Sequence, residues 1–380
     1  MNSMVIEFRT WRAGIICAGL LCMAIGLNAQ PTQHYKQTNL VADTPGIAAV
    51  TDPNLVNAWG ISRSSGSPWW VSDNGTGVTT LYTGTGTPIP LVVTIPGAEA
   101  GQSGTPTGQV FNGTMDFNLT AGNPARFIFA TEDGTISGWN PAVQPTTAVI
   151  MVNTHSASVF KGLAMATVGD PQGMHANYLY AADFRKGQVA VFDTNFHRVH
   201  FASAHHGDDD DDEPFRDERI PHGFAPFNVQ NIGGNLYVAF AMQDAAKHDE
   251  VDGPGLGYVD VFSSTGRLLQ RLEHNNWLNG PWGMTQAPSD FGANSHDILV
   301  GQFGSGNIQA FDPASGHFRG LLYGMDNNPI MIDGLWGIGF GSGGTSGPST
   351  TLYFAAGPGG EAHGLLGNLT AVENVLGGDQ

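Results

Sequence analysis

"NAWGIS" (57–62) and "GLWGIG" (334–339) stand far apart in the chain and read as one strand written twice. Four further copies lie between them: "PTGQVF" (106–111), "FKGLAM" (160–165), "APFNVQ" (225–230) and "GPWGMT" (280–285). Each sets a small residue between a bulky or polar residue and an apolar β-former. The small position is Gly60, Gly108, Gly162, Gly283 and Gly337, with Asn228 in the fourth copy. From Gly60 to Gly337 is 277 residues in five steps, a mean of about 55.

A second apolar strand follows each copy, as in "WWVSD" (69–73), "FIFATED" (127–133) and "YLYAAD" (178–183). A turn and a third strand come next, as in "VTTLY" (78–82) and "QVAVFD" (188–193). Short Val, Ile, Phe and Tyr runs bounded by Gly, Asn, Asp or Pro indicate an all-β chain. One strand–turn–strand unit recurring six times predicts a six-bladed β-propeller, because such units cannot bury their faces alone and must stack around a channel. A β-sandwich would not recycle one Gly-containing strand, and a β-helix has a much shorter period. "QTNLVAD" (37–43) is expected to close the ring as the outer strand of the last blade.

The ends bound the domain. Arg9 and Arg12 precede a 15-residue apolar run, Ala13 to Leu27, with small residues before Gln30. This is a secretory signal pattern, and the run is shorter than the roughly 20 residues that span a bilayer. Residues 1–29 therefore read as a signal peptide cleaved near Ala29/Gln30, and 30–380 as a single propeller domain that is periplasmic or extracellular. Both cysteines, Cys17 and Cys22, lie in the signal, so the mature domain is expected to be held by its core without disulfides or thiolate sites. Without Glu7, Arg9 and Arg12 the chain keeps 13 basic and 32 acidic residues, net −19. That balance argues against nucleic acid and against membrane insertion. It suits cations, neutral small molecules, sugars or a protein partner, and a monomer is expected.

"NLVNAWGIS", "APFNVQNIGGNLYVAFAMQDAAKHD", "GYVDVF", "NGPWGM" and "IDGLWGIGFG" together resemble a family of secreted bacterial proteins known only as conserved hypothetical, some of which carry a PEP-CTERM sorting tail. The resemblance covers nearly the whole mature chain and implies a β-propeller of unknown function. No such tail is expected in this chain, so sorting by that route is not expected either. More distantly, the repeat unit is similar to NHL-type and gluconolactonase-like six-bladed propellers, from which no catalytic residue transfers.

Propeller geometry turns the repeats into a map of one channel mouth, where the starts of the inner strands meet the turns between second and third strands. The mouth is expected to gather Asn57, Trp59, Asp73, Glu132, Asp183, Arg185, Asn228, Gln243, Trp282, Gln302 and Trp336, with Asn74, Lys161, Glu361 and His363 beside them. Aromatic next to polar residues suits flat ligands or sugars, whereas Trp59, Trp282 and Trp336 as packing wedges would have no contact with ligand. In the fourth blade the second turn swells to "QDAAKHDEVDGPGLG" (243–257), more than the ladder requires. Asp244, His248 and Asp249 there are candidate ligands for a divalent cation such as calcium, zinc or manganese, although a solvated polar loop has the same composition. The insertion 203–220, with five consecutive aspartates from Asp208 to Asp212, is expected to be unfolded by self-repulsion.

Nucleophile elbows, Walker loops and the His-Glu-x-x-His motif are absent. Two readings follow. One is a ligand- or protein-binding module that uses the mouth and the 243–257 loop. The other is a metal-assisted hydrolase or lyase acting on a lactone or ester.

Overall fold

A computed structural model describes Met1 and residues 33–372, except 170–172, 174 and 202–212. The expected signal peptide and the run Asp208–Asp212 lie outside the described residues. Within them the chain is all-β apart from one 3-10 turn at Gly292–Asn294.

Beside a small two-stranded sheet of Asn118–Thr120 and Asn123–Pro124, six mainly antiparallel blade sheets follow one another along the chain. Their innermost strands are Ala58–Ser62, Pro106–Phe111, Phe160–Gly169, Phe224–Ile232, Pro281–Gln286 and Leu335–Phe340, so all six quoted repeats become channel strands. Each inner strand touches that of the next blade, and the sixth touches the first. The result is a six-bladed β-propeller. Closure uses the expected segment: His34–Ala42 pairs antiparallel with Leu365–Val372 and so joins the two ends of the chain in one blade. Because both ends are held by that ladder, opening the ring costs a full row of backbone hydrogen bonds.

The repeated small residue has a steric cause. A Cβ on Gly60 would overlap the Thr107 carbonyl, one on Gly108 the Leu163 backbone nitrogen, and one on Gly337 the Trp59 carbonyl. Each of these neighbours belongs to the inner strand of the adjoining blade. The inner strands converge on the axis so tightly that only glycine fits at this level. At the fourth blade Asn228 replaces it and converts the close approach into a bond: its Nδ2 donates to the Trp282 carbonyl at 2.7 Å. Facing blades bury apolar side chains against each other, for example Phe160, Leu163 and Leu179 with Ile128 and Ile136. This interblade burial supplies the main stabilisation of a propeller.

The 203–220 insertion differs from expectation where it is described. Phe215 is buried against Tyr180 and Phe262. Asp217, also buried, pairs with Arg271 through both of its carboxylate oxygens. An aromatic anchor and a two-point ion pair outweigh the repulsion from the aspartates upstream, so 213–220 packs onto the fourth blade.

Candidate functional site

Lys161 is the second residue of the third blade's inner strand, at a position where the repeats elsewhere carry Trp, Thr or Phe. Its side chain turns inward and is 1% exposed. The ammonium lies 2.5 Å from Glu132 Oε1 and 3.0 Å from Asp249 Oδ1. It also sits 5.0 Å from the centroid of the Trp59 ring, in cation–π range. Glu132 comes from the second turn of the second blade, and its other oxygen accepts from Asn74 Nδ2 at 2.8 Å. Asn57 Nδ2 donates to Asn74 Oδ1 at 3.3 Å, and the Trp336 indole N–H donates to Asn57 Oδ1 at 3.3 Å. Residues from blades one, two, three, four and six thus form one connected polar set.

The long fourth-blade loop places the last members. Asp244 is its staple: Oδ1 accepts the backbone N–H of His248 at 2.8 Å, and its own N–H bonds the Asp249 carbonyl at 2.8 Å. Glu250–Val251 then pairs back onto the second strand. The excursion is therefore a small folded hairpin that carries Asp249 and Glu250 over Lys161.

The electrostatics follow from crowding acids around one base. Burial alone would push the Lys161 ammonium down, but Glu132, Glu250 and Asp249 outweigh it and hold it above its ordinary value. Burial likewise opposes ionisation of Asp249, yet Lys161 and His248 hold that carboxyl below the usual range. The two remaining acids lack a direct partner of this kind. Burial raises Glu250 to about 8, and burial with the nearby Glu132 and Asp249 charges raises Glu361 to about 7. Four carboxyl groups from three blades surround one ammonium, and two of them change charge near neutrality. Perturbed groups gathered at the mouth of a scaffold are a recognised mark of function.

Below this set the channel is filled. Trp59 and Trp336 stack with centroids 3.6 Å apart, Phe303 stacks on Trp336 at 4.0 Å, and Trp282 meets both indoles edge-on. Phe184 and Phe227 complete the plug. Trp336 is 0% exposed, so the three tryptophans form the floor of the site and offer no open face to a sugar.

The other expected mouth residues have separate duties. Asp73 is fully buried in the first blade, and burial holds its carboxyl well above the usual range. Asp183 accepts the Lys186 N–H of its own turn at 3.3 Å, and Arg185 donates to the Ser156 carbonyl at 2.6 Å. Gln243 donates to the Phe184 carbonyl. Gln302, with no exposed surface, accepts the Asn279 N–H at 2.8 Å, and Asn228 is the interblade tie described above. The structure therefore unites Asn57, Trp59, Glu132 and Trp336 with His248 and Asp249, and leaves Asp73, Asp183, Arg185 and Gln302 outside the set. Asp244, whose Oδ1 accepts the backbone N–H groups of His248 and Asp249, is not in the group of potential ligands that the structure brings together. Glu132 takes its place: Glu132, His248 and Asp249 each offer a ligand atom within 4.8 Å of the others.

No family model matches the chain. Over 346 residues it is 33% identical to uncharacterized protein L690 of Acanthamoeba polyphaga mimivirus, covering 88% of this chain and 85% of the viral protein. The chain belongs to that protein's family. A second mimivirus relative, uncharacterized protein R648, is 33% identical over 311 residues, covering 80% of this chain and 73% of its own. Among solved structures, a glucose dehydrogenase is similar with a TM-score of 0.51 at 12% identity, over 89% of this chain and all of the other. At that identity the likeness is one of fold.

Proposed function

We propose that this propeller is a binding module for a small organic cation, such as a protonated amine, held at the mouth that carries the 243–257 loop. The reading rests on one observation: Glu132, Asp249, Glu250 and Glu361 crowd around the single ammonium of Lys161. The surplus among the described residues is negative: burial raises Glu250 to about 8, and burial with the Glu132 and Asp249 charges raises Glu361 to about 7. A ligand ammonium supplies a compensating charge, lets both acids ionise and releases protons on binding. Calorimetric titration with butylamine tests this, with butanol as the neutral control. Butylamine should bind more tightly at pH 8.5 than at pH 6, and Glu361→Gln should weaken it. A folded protein giving no saturable amine signal at pH 8.5 sinks the proposal.

The hydrolase reading keeps one supporting observation, the cluster of Glu132, His248 and Asp249. Against it, three of the four carboxylate oxygens of Glu132 and Asp249 are already engaged. Lys161 holds Glu132 Oε1 and Asp249 Oδ1, Asn74 holds Glu132 Oε2, and His248 Nδ1 lies 2.9 Å from Asp249 Oδ1. A dication about 4 Å from an ammonium also meets a repulsion of roughly 8 kcal/mol at an effective dielectric of 20. Elemental analysis after dialysis against calcium, zinc and manganese separates the readings. One equivalent of metal, lost in His248→Ala, would transfer the site to metal chemistry.

We also propose export, on the pattern of residues 1–29, and kinship with the secreted bacterial propellers that the repeats resemble. A mature N-terminus at Gln30 after expression in a secreting host is the expected result. Among the described residues no helix is long and apolar enough to cross a membrane.

A further inference from the structure

The channel has a second end. Beyond the aromatic plug, where the inner strands run out, a cavity of about 340 Å³ is lined by residues from all six blades. That volume lies in the range of small-molecule sites, about 300–1,000 Å³. Its chemistry is the reverse of the first mouth. Among the described residues no Asp, Glu, Lys or His lines it, and Arg63 is the charged residue in its wall. The amides of Gln109 and Gln230 stand beside Met165, Met284 and Ile338, a mixture of a few polar groups on an adaptable apolar wall.

Arg63 is held before any ligand arrives. Its Nε donates to the Phe340 carbonyl at 2.7 Å and Nη2 to the Gly341 carbonyl at 2.9 Å, while the guanidinium lies 5.5 Å from the Trp69 ring centroid. Carbonyls neutralise no charge, and Nη1 has no hydrogen-bond partner among the described residues. A fixed, half-buried guanidinium without a carboxylate is prepared for an anion, and its planar fork fits a carboxylate.

We propose that this opposite mouth binds a small molecule that carries a carboxylate on an apolar body. The net charge of −18 opposes any anion. At physiological salt, however, that charge is screened beyond about 8 Å, and the acids around Lys161 lie on the far side of the plug. Among the described lining residues the Arg63 guanidinium is the charge a ligand in this cavity meets.

The probe is benzoate, titrated calorimetrically into the purified chain and compared with benzyl alcohol and benzylamine. Benzoate should bind saturably and more tightly than benzyl alcohol. Arg63→Gln should weaken benzoate about tenfold or more, the usual loss for a hydrogen bond to a charged group. Met165→Trp, which fills the cavity and leaves Arg63 in place, should abolish it. Circular dichroism shows whether each variant is folded. Benzylamine reports the first mouth and should respond to Glu361→Gln but not to Met165→Trp, so the two sites fail or stand separately. Three results overturn the proposal: no saturable benzoate binding, equal binding of benzyl alcohol, or binding unchanged in both folded variants.

Discussion

Replacing Lys161 by methionine removes one charge and keeps most of the stem that packs on Trp59. The cost follows from what remains. Glu132, only 11% exposed, loses its partner at 2.5 Å and keeps Asn74. Asp249 is 63% exposed and turns toward water at little cost. Removing one partner of a fully buried pair costs about 3–5 kcal/mol, so one buried and one exposed carboxylate place Lys161→Met at about 2–4 kcal/mol. At roughly 2.1 cal/mol/K per residue of unfolding entropy, that is a fall of about 3–6 °C in Tm for a domain of this size.

The pH dependence makes the test specific. Lys161 is held above its ordinary value, so its stabilisation is fully present across the neutral range and is lost only as pH rises through the folded-state value. What varies between pH 5 and 8.5 is the number of carboxylates it compensates. Glu250 (about 8) and Glu361 (about 7) are protonated at the lower pH and ionised at the higher. The loss in Lys161→Met should therefore be largest at pH 8.5 and fall to roughly half at pH 5, measured by denaturant unfolding at both values. An equal loss at both would mean that Lys161 acts through packing alone and refute the electrostatic account. A loss under about 1 kcal/mol at pH 8.5 would refute the buried pair itself.

Three further substitutions probe separate links. Glu250→Gln should stabilise the protein at pH 8.5 and do little near pH 4. A carboxyl raised from 4.5 to about 8 destabilises the fold progressively as pH rises between those values, and the amide escapes that cost; thermal melts at the two pH values check it. Gly108→Ala places a Cβ against the Leu163 backbone and should cost about 1–3 kcal/mol as overpacking, whereas Gly122→Ala, with open space at its Cβ, should show only the smaller strain of its positive φ. Trp336→Ala should cost about 3–5 kcal/mol in urea unfolding, since that indole is buried between Trp59 and Phe303.

The architecture was legible because its cause is periodic. A close approach at the axis demands a small residue once per blade, so the same residue type returns at each step. The closing strand could be read for a related reason, since a sixth blade without an outer strand needs one from the other terminus. The site was only half legible. Lys161 breaks its own repeat column, and the oversized loop breaks the turn column, so both stand out; that they meet depends on the three-dimensional path of 243–251. Glu250 was visible in the loop but carried no motif. Phe184 and Phe303 each directly follow the last residue of a second strand, in "ADF" and "GQF", a parallel that points to the plug. Asp73 and Gln302 misled because a strand-end position fixes height along the channel but not whether a side chain faces the axis or an interblade seam.

The plug decides what kind of propeller this is. An open channel would average its two mouths into one electrostatic environment, and a ligand could pass between them. Here Phe303, Trp336 and Trp59 form a continuous stack, tied to the rim by the Trp336–Asn57 bond and to the third blade by the Trp282 N–H, which donates to the Lys161 carbonyl at 3.1 Å. Parting it would expose indole surface at about 25 cal/mol per Å² and break those bonds. The stack is also an apolar layer between an acidic cluster on one side and the Arg63 guanidinium on the other, and low polarizability sharpens the difference between them. The same three tryptophans that the sequence allows as ligand faces or as packing wedges thus separate the acidic cluster from the Arg63 cavity, and each end can be tested without disturbing the other.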